Sequence, residues 1–376
     1  MHLKKGCMVC SGTTNLQRCE YCKVVLYCRS HRQARYRSPH SIPCTFIEDA
    51  RLRLASEEES LRYDSAHSVG GLYSVPLNVF ENCVGFFWDI LATRDYLLAR
   101  RAFTDALLRI DTEDAILLVV SEYADMLRLC RRDDLEIRYR MPAQLLRLGE
   151  DQQCYDFLKF WANEEDNYVD SEDPVALRRR YDDSDILEDP TAALRLSESV
   201  FEMGRLVPAF LLKLSLWLKM RELAQASETL REMRKNIPLE LIITIQLHLA
   251  TPAILNNAAI MSDVRNGRDL EHHIATLRHH AGLICRAISH ASGGFWDVFH
   301  ITDEEDDLES SLLRHLKGPP SEPAVIALQR NYQAFVDIPH AVPMTESIML
   351  EEEEAEEWEV DDEEQTNDIF VHDSPE

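Results

Sequence analysis

The 376-residue sequence lacks the patterns that mark the common enzyme classes and membrane proteins. Its twelve glycines form no G-x-G-x-x-G, P-loop or G-x-S-x-G motif, and no His-Glu-x-x-His string occurs. No hydrophobic run is long enough to cross a bilayer, because charged or polar residues interrupt the apolar stretches 208–220 and 239–249. We therefore expect no membrane span and no enzymatic activity, and we interpret both stretches as buried helices.

Signals of secretion are also lacking. The N-terminus reads MHLKKGCMVC, without the apolar core of a signal peptide, and no Asn-x-Ser/Thr sequon is present. Six of the ten cysteines lie within residues 7–44, whereas a secreted disulfide protein spreads its cysteines along a short chain. We predict an intracellular protein, cytoplasmic and/or nuclear, whose clustered cysteines bind metal.

Charge is distributed unevenly along the chain. Residues 1–44 hold eight Lys/Arg and one Glu, whereas residues 341–376 hold fifteen Asp/Glu and no Lys/Arg, in a chain of net charge −26. Such a chain has no broad attraction for phosphates, so we do not expect nucleic acid as a partner. Eleven of the fourteen residues 351–364 are acidic. Because such a run repels itself and buries little apolar area, we predict that 341–376 is a disordered acidic tail.

Eight candidate metal ligands lie within the N-terminal 44 residues. They form four pairs, namely Cys7 and Cys10, Cys19 and Cys22, Cys28 and His31, and His40 and Cys44. A Cys-x2-Cys turn directs two thiolates at one point, and structural zinc takes four sulfur or nitrogen donors at tetrahedral corners. Eight donors make two closed sites, so we predict two Zn²⁺ ions with no open position for a catalytic water.

The spacing of these pairs resembles the MYND-type zinc finger. The Tyr27-Cys28 dipeptide and the closing His40-x3-Cys44 pair both match that family. The resemblance implies interleaved ligands, with Cys7, Cys10, Cys28 and His31 in site 1 and Cys19, Cys22, His40 and Cys44 in site 2. The family's usual last ligand of the third pair would fall at Arg32, and His31 is the nearest donor. In this detail the sequence resembles fungal MYND-finger proteins of unassigned function.

The same resemblance implies binding of protein or peptide partners. Animal members carry a peptide-contacting Trp three residues before the closing His, and Arg37 occupies that position here. Some members are SET-domain methyltransferases, but neither an Asn-His-x-Cys core nor a Gly-Glu-Glu-Leu-like segment occurs. We therefore expect an adaptor or co-regulator. Two alternatives remain: an enzyme of unknown reaction in the helical domain, and a nucleic-acid-associated regulator that acts through the basic finger.

Residues 47–340 show helical periodicity and no sustained strand alternation. Within 96–110 one predicted helix face carries Leu98, Ala99, Ala102, Phe103, Ala106, Leu107 and Ile110. The spacing of its small residues suggests a helical-hairpin repeat, as does the recurrence of the Pro142–Leu148 string at Pro208–Leu214, 66 residues later. Ordinary packing with a proline at each helix start is the alternative.

Two polar segments interrupt this domain. Residues 164–190 hold eleven Asp/Glu and are predicted to be an exposed loop with a short helix around 175–181. Four histidines lie in the segment 271–280, namely His272, His273, His279 and His280. On a helix, partners seven residues apart lie about 10.5 Å apart, too far to share one metal ion. We predict a solvated or partner-facing surface.

These observations predict a small two-zinc MYND-type finger at 1–46, a large all-α domain at 47–340 with an acidic loop at 164–190, and a disordered acidic tail at 341–376. The tail opposes in charge the four arginines that crowd the finger, which are Arg29, Arg32, Arg35 and Arg37. We therefore also expect an intramolecular contact of the acidic tail with the basic finger.

Overall fold

The computed structural model describes residues 3–28, 37–68, 74–196, 202–233, 236–292, 295–296, 299 and 323–352. These residues are mostly helical, as predicted. Their two strands, Gln17–Arg18 (β1) and Leu26–Tyr27 (β2), pair in an antiparallel sheet in which Gln17 lies opposite Tyr27. No helix in the described part of the chain combines the length and the apolar character needed to cross a bilayer.

The contacts between residues divide the chain into two compact units. The first comprises Met1–Glu150 and Glu164–Asp182, and the second comprises Asp151–Asn163 and Asp183–Glu376. The N-terminal cysteine segment therefore groups with the helices up to Glu150. The predicted boundary between finger and helical domain, at 46/47, falls inside the first unit.

The helices of the first unit are α1 (Arg37–Ala66), α2 (Val79–Asn82), α3 (Arg94–Leu107), α4 (Glu113–Leu129) and α5 (Met141–Leu148). Short 3-10 turns at Phe87–Asp89, Leu91–Thr93 and Ile137–Tyr139 connect them. Helix α6 (Asp151–Asp170) begins in the second unit and ends in the first, with non-helical backbone angles at Glu164, and α7 is Pro174–Arg179.

Helix α3 packs between α1 and α4, which in turn packs against α5. The predicted apolar face of α3 is right for Ala99, Phe103, Ala106 and Leu107, which are buried. It is wrong for Leu98 and Ala102, which are exposed. Arg100, by contrast, is buried, and it pairs with Glu122 (2.7 Å) and Asp125 of α4. The buried face of this helix therefore includes Tyr96, Leu97 and Arg100, and the ion pair compensates the charge that is buried there.

The second unit contains α8 (Pro190–Ala193), α9 (Met203–Met233), α10 (Leu239–Leu249), α11 (Pro252–Asn256), α12 (Ala258–Asn266), α13 (Glu271–Ala291), α14 (Pro323–Asp337) and α15, residues 341–352. Helix α9 is the centre of this unit, because α10, α13 and α14 all pack against it. The apolar stretch 208–220 lies inside α9 and is largely buried, as predicted.

The suggested repeat does not place its two prolines in equivalent positions. Pro142 lies in the first turn of the eight-residue helix α5, where its missing N–H costs nothing. Pro208, by contrast, lies inside the 31-residue helix α9. The expectation that both prolines begin helices is therefore wrong for Pro208, and the matching strings belong to helices of different lengths.

Three further expectations need correction. The stretch 239–249 forms α10, but it buries only Ile242 among its residues, because it rests on α9 by one side alone. The acidic loop begins later than predicted, since α6 continues to Asp170, although the short helix appears as α7. The predicted tail also begins too early. Residues 341–352 form α15, which buries Ile348 and Met349, and residues 353–376 lie outside the described residues.

Candidate metal centres

The two Cys-x2-Cys segments form tight turns whose backbone directs both thiols to one side. The residue after each second cysteine is left-handed, Ser11 at φ 55° and Lys23 at φ 66°. The amide of Cys19 donates to the carbonyl of Val25 (2.8 Å), and the amide of Lys23 donates back to the carbonyl of Cys19 (3.1 Å). These bonds hold the second turn against β2, whose register therefore positions its thiols.

Gly6 is required at the start of the first turn. Its φ is +84°, and a Cβ there would lie 2.7 Å from the carbonyl oxygen of Gly12. That carbonyl accepts the amide of Cys7 (2.9 Å), which closes the turn over the first pair of cysteines. A larger residue at position 6 would be strained in backbone angle and in space at once.

The last pair of ligands is supplied by a helix. His40 and Cys44 are four residues apart in the first turns of α1, so both side chains lie on one face. This face meets the second Cys-x2-Cys turn, and the ligand atoms of Cys19, Cys22, His40 and Cys44 all lie within 4.8 Å of one another. All four residues are buried. The sulfurs of Cys19 and Cys44 are 3.7 Å apart, and Cys22 Sγ is 3.3 Å from His40 Nε2.

A second cluster contains Cys7, Cys10 and Cys28, whose ligand atoms again lie within 4.8 Å of one another. Cys10 Sγ and Cys28 Sγ are 3.8 Å apart. His31, the predicted fourth ligand, lies outside the described residues. The grouping is interleaved, with the first pair joined by Cys28 and the second pair joined by His40 and Cys44. Each cluster could hold a metal ion, which is consistent with a zinc finger.

None of the ten cysteines, all of which lie in the described part of the chain, forms a disulfide, which is consistent with the prediction that the clustered ones bind metal. The remaining four, Cys83, Cys130, Cys154 and Cys285, belong to no metal-binding group among the described residues. Three of these are buried, and Cys83 is half-buried. They behave as small core residues of the helical units.

A buried tyrosine supports the histidine ligand. Tyr27 is fully buried, and its hydroxyl oxygen lies 3.0 Å from His40 Nδ1. With Nε2 directed at the cluster, the other ring nitrogen is free to carry the proton and donate it to this oxygen. Such a partner fixes the ring orientation and tautomer of a metal-binding histidine. The sequence had marked Tyr27 only as part of a family dipeptide, and its role as a support becomes clear from the geometry.

The two clusters differ in their electrostatics. Burial opposes ionisation of Cys7, but amide hydrogen bonds, that of Cys10 first, lower its pKa to about 6. In the other cluster, burial and the neighbouring charge of Cys22 raise the pKa of Cys44 to about 12. Burial also lowers the pKa of His40, which keeps the ring neutral, as a metal ligand must be. Ionised thiols in the buried cluster therefore require a compensating cation.

The cysteine segment is attached to the helices of the first unit at the start of α4. Lys4 forms a parallel bridge with Thr112, with backbone hydrogen bonds to Asp111 and Glu113 of 3.2 Å each. Lys5 pairs with Glu113 (2.9 Å), and Arg18 pairs with Asp114 (2.7 Å). The carboxylates lie in the first turn of α4, where they also favour the helix dipole. The clusters are therefore joined to the helices both here and through α1.

The histidine segment of α13 was predicted to be a surface throughout, and this is right for only part of it. His272 and His279 are exposed, whereas His280 is buried, and burial followed by the charge of Lys213 lowers the pKa of His280 to about 4. His273 Nε2 lies 3.2 Å from a carboxylate oxygen of Asp263. None of the four belongs to a metal-binding group in the described part of the chain.

Lys213 is a buried basic residue that lies within the apolar stretch 208–220. It is fully buried on α9, and its ammonium donates to the carbonyls of Ile186 (2.6 Å) and Glu188 (3.1 Å). Tyr155 also donates to the Glu188 side chain, at 2.7 Å. Burial lowers the pKa of Lys213 to about 8. Because its ammonium donates to backbone carbonyls, Lys213 attaches the segment 183–190 to α9. The buried ammonium is not accessible from solvent.

Some of the expected basic surface cannot be located. Arg29, Arg32 and Arg35 lie outside the described residues, as do the side chain of Arg37 and residues 353–376. The contact between tail and finger therefore stays a prediction from charge alone. Comparison of the chain with known protein families, with curated proteins and with solved structures gave no match.

Proposed function

We propose that residues 1–46 are a MYND-type zinc finger that binds two Zn²⁺ ions, and that the chain uses it to bind protein partners as an adaptor or co-regulator. The observation that carries the proposal is the closed cluster of Cys19, Cys22, His40 and Cys44. Its donors are the soft sulfur and imidazole nitrogen that zinc prefers.

The distances support zinc as the ion. Two sulfurs bound at about 2.3 Å to one tetrahedral Zn²⁺ lie about 3.8 Å apart. The Cys19–Cys44 and Cys10–Cys28 sulfur pairs are 3.7 and 3.8 Å apart. In the first site we propose His31 as the fourth ligand, next to Cys7, Cys10 and Cys28. Zinc there would stabilise the ionised thiols and hold the loops on either side of Cys28 together.

A site closed by four protein ligands favours a structural role over a catalytic one. Catalytic zinc keeps an open position for water or substrate, whereas four buried donors leave none. The finger would then act as a rigid carrier of surface residues, of which the basic ones give residues 1–44 a formal charge of +7. A surface of this sign fits acidic peptide segments of protein partners. We accordingly propose that the chain is not an enzyme.

Partner capture with matched single-site variants tests this proposal. Full-length chain is used as bait in three forms: wild type, Cys22→Ser and Cys83→Ser. Cys83 is a free thiol outside both clusters, so its variant controls for loss of a cysteine. We expect a set of proteins that wild type and Cys83→Ser retain and Cys22→Ser loses, as judged by quantitative mass spectrometry. Identical sets for all three baits would overturn the role of the finger.

A further inference from the structure

Glu351 and Glu352 of helix α15 contact two arginines of α13. Arg278 Nη2 lies 2.5 Å from Glu351 Oε2, and Arg278 Nη1 lies 3.3 Å from Glu352 Oε1. Arg286 Nε lies 3.1 Å from the other oxygen of Glu352. Because residues 278 and 286 are eight apart on one helix, both guanidinium groups face the same side. Two adjacent carboxylates of α15 are thus paired with arginines on two sides.

Gly282 lies between these arginines and leaves room for the Glu352 carboxylate in its present position. A Cβ at this position would lie 2.1 Å from Glu352 Oε1 and 2.8 Å from its Cδ. The carboxylate therefore occupies the volume that any side chain would fill. Arg278, Gly282 and Arg286 form one stripe, at spacings of four residues, that is shaped for a carboxylate. We call it the carboxylate stripe.

The rest of α15 lies on the same unit by an apolar side. Ala341, Thr345, Ile348 and Met349 are buried, at spacings of four, three and one residues, whereas Leu350 is exposed. Thr345 satisfies its hydroxyl within the helix by donating to the carbonyl of Ala341 (2.8 Å). A short amphipathic helix with its anchors one turn apart is the usual ligand of a helix-binding groove.

We propose that the carboxylate stripe, together with the surface of the second unit that covers Ala341, Thr345, Ile348 and Met349, forms an exchangeable docking site for an amphipathic helix that carries two adjacent carboxylates. Residues 341–352 are its intramolecular occupant. A partner helix of the same chemistry competes for the site, so the protein carries a second interaction surface, in the second unit, separate from the finger.

Two features make the occupant exchangeable. Twelve helical residues have little stability of their own in water, so the described part of α15 depends on its docking contacts. Ion pairs that are partly exposed, as at Glu351, contribute little individually and weaken in salt. When α15 occupies the site, an added helix can bind only to the fraction of molecules in which the site is vacant. The apparent affinity for the added helix is reduced in proportion to that fraction.

A labelled peptide of residues 338–352 tests the proposal on the full-length chain. The site is vacated by Glu351→Lys with Glu352→Lys, which leaves the carboxylate stripe intact. A charge-matched control carries Glu232→Lys with Glu240→Lys, since both of these residues are exposed and lie on other helices. We expect the peptide to bind the vacated variant at least about tenfold more tightly than wild type or the control. A peptide with both glutamates changed to lysine should bind none of the three.

Adding Arg278→Gln to the vacated variant should weaken peptide binding again. Equal binding to wild type and the vacated variant, with an unchanged circular dichroism spectrum, would overturn the proposal. Hydrogen exchange of the wild-type protein gives an independent check should the variant fold poorly. Amides of 345–352 should exchange faster at high salt while those of α9 stay unchanged. Exchange as slow as that of α9 at every salt concentration would show that the helix is a fixed part of the core.

Discussion

Loss of the buried metal cluster should loosen the N-terminal half of α1. Two of its four ligands, His40 and Cys44, belong to the first turns of this 30-residue helix. Among the described side chains of α1, only Ile47 and Leu61 are buried aliphatic anchors. Each contributes about 1.5–3 kcal/mol, and ordering the backbone costs about 1–2 kcal/mol per residue before hydrogen bonds are counted. The helix therefore needs attachments at its ends.

The C-terminal end of α1 keeps its attachment without metal. The Ser65 hydroxyl donates to the carbonyl of Pro76 (2.8 Å) and accepts the amide of Val79 (2.8 Å). Arg62 also lies over the ring of Phe80, 4.1 Å from its centroid. The N-terminal end has the metal cluster and Ile47. A structural zinc site contributes about 10–16 kcal/mol in isolated fingers, so its loss exceeds what Ile47 can offset.

Cys22→Ser is the perturbation, with Cys83→Ser as its matched control. Losing as little as 3 kcal/mol of local stability speeds exchange roughly a hundredfold, so we expect at least that change in amides 41–54. Amides 61–66 and those of α4 should change much less. Hydrogen exchange with mass spectrometry on the full-length chain measures this. Unchanged exchange across 41–54 in Cys22→Ser would refute the reasoning that the cluster anchors α1.

Three further outcomes are expected. Gly6→Ala should weaken metal binding roughly ten- to a hundredfold in chelator competition, because Gly6 has a positive φ and its added Cβ would meet the Gly12 carbonyl. Gly12→Ala is the control, since its added Cβ meets nothing closer than 3.4 Å, and it should leave metal binding unchanged. Equal effects of the two variants would contradict this. Tyr27→Phe should lower metal affinity about ten- to a hundredfold by freeing the His40 ring, and an unchanged affinity would argue against that support. The pKa of Lys213 is about 8 in the folded protein against 10.5 in the unfolded chain, so the stability that Lys213 allows is greatest above pH 10.5 and falls by about 3 kcal/mol as pH falls from 10.5 to 8. The difference in unfolding free energy between wild type and Lys213→Met should therefore rise from pH 8 to 10, and a flat difference would contradict the burial of a charged amine.

The clustering of the cysteines and histidines was predictable because it depends on local spacing. A Cys-x2-Cys turn and a His-x3-Cys helix turn each fix the direction of two donors within a few residues. The pairing of the turns came from the family resemblance, and the clusters have that grouping. The support from Tyr27 could not be inferred, because it depends on how β2 meets α1. A buried tyrosine next to a ligand cysteine was the only local signal.

Helix positions were also largely predictable, whereas which residues they bury was not. Arg100 and Lys213 are buried because a partner on another segment satisfies each of them, and periodicity counts both as surface residues. The opposite error occurred at α10, where most apolar residues are exposed and, among the described helices, α9 is the main packing partner. The start of the tail was misplaced for a related reason. Composition from 341 onward is acidic on average, but the acidic run begins only at Glu351, within an amphipathic helix that starts at 341.

The metal content of the full-length protein tests the central claim most directly. Two interleaved closed sites predict two zinc ions per chain, measured by elemental analysis of protein purified without added metal. Cys22→Ser should reduce the ratio to about one, because only the buried cluster loses a ligand. A wild-type ratio of one would contradict a complete first site, with His31 the first ligand to re-examine. A folded wild-type protein without zinc would contradict the account as a whole.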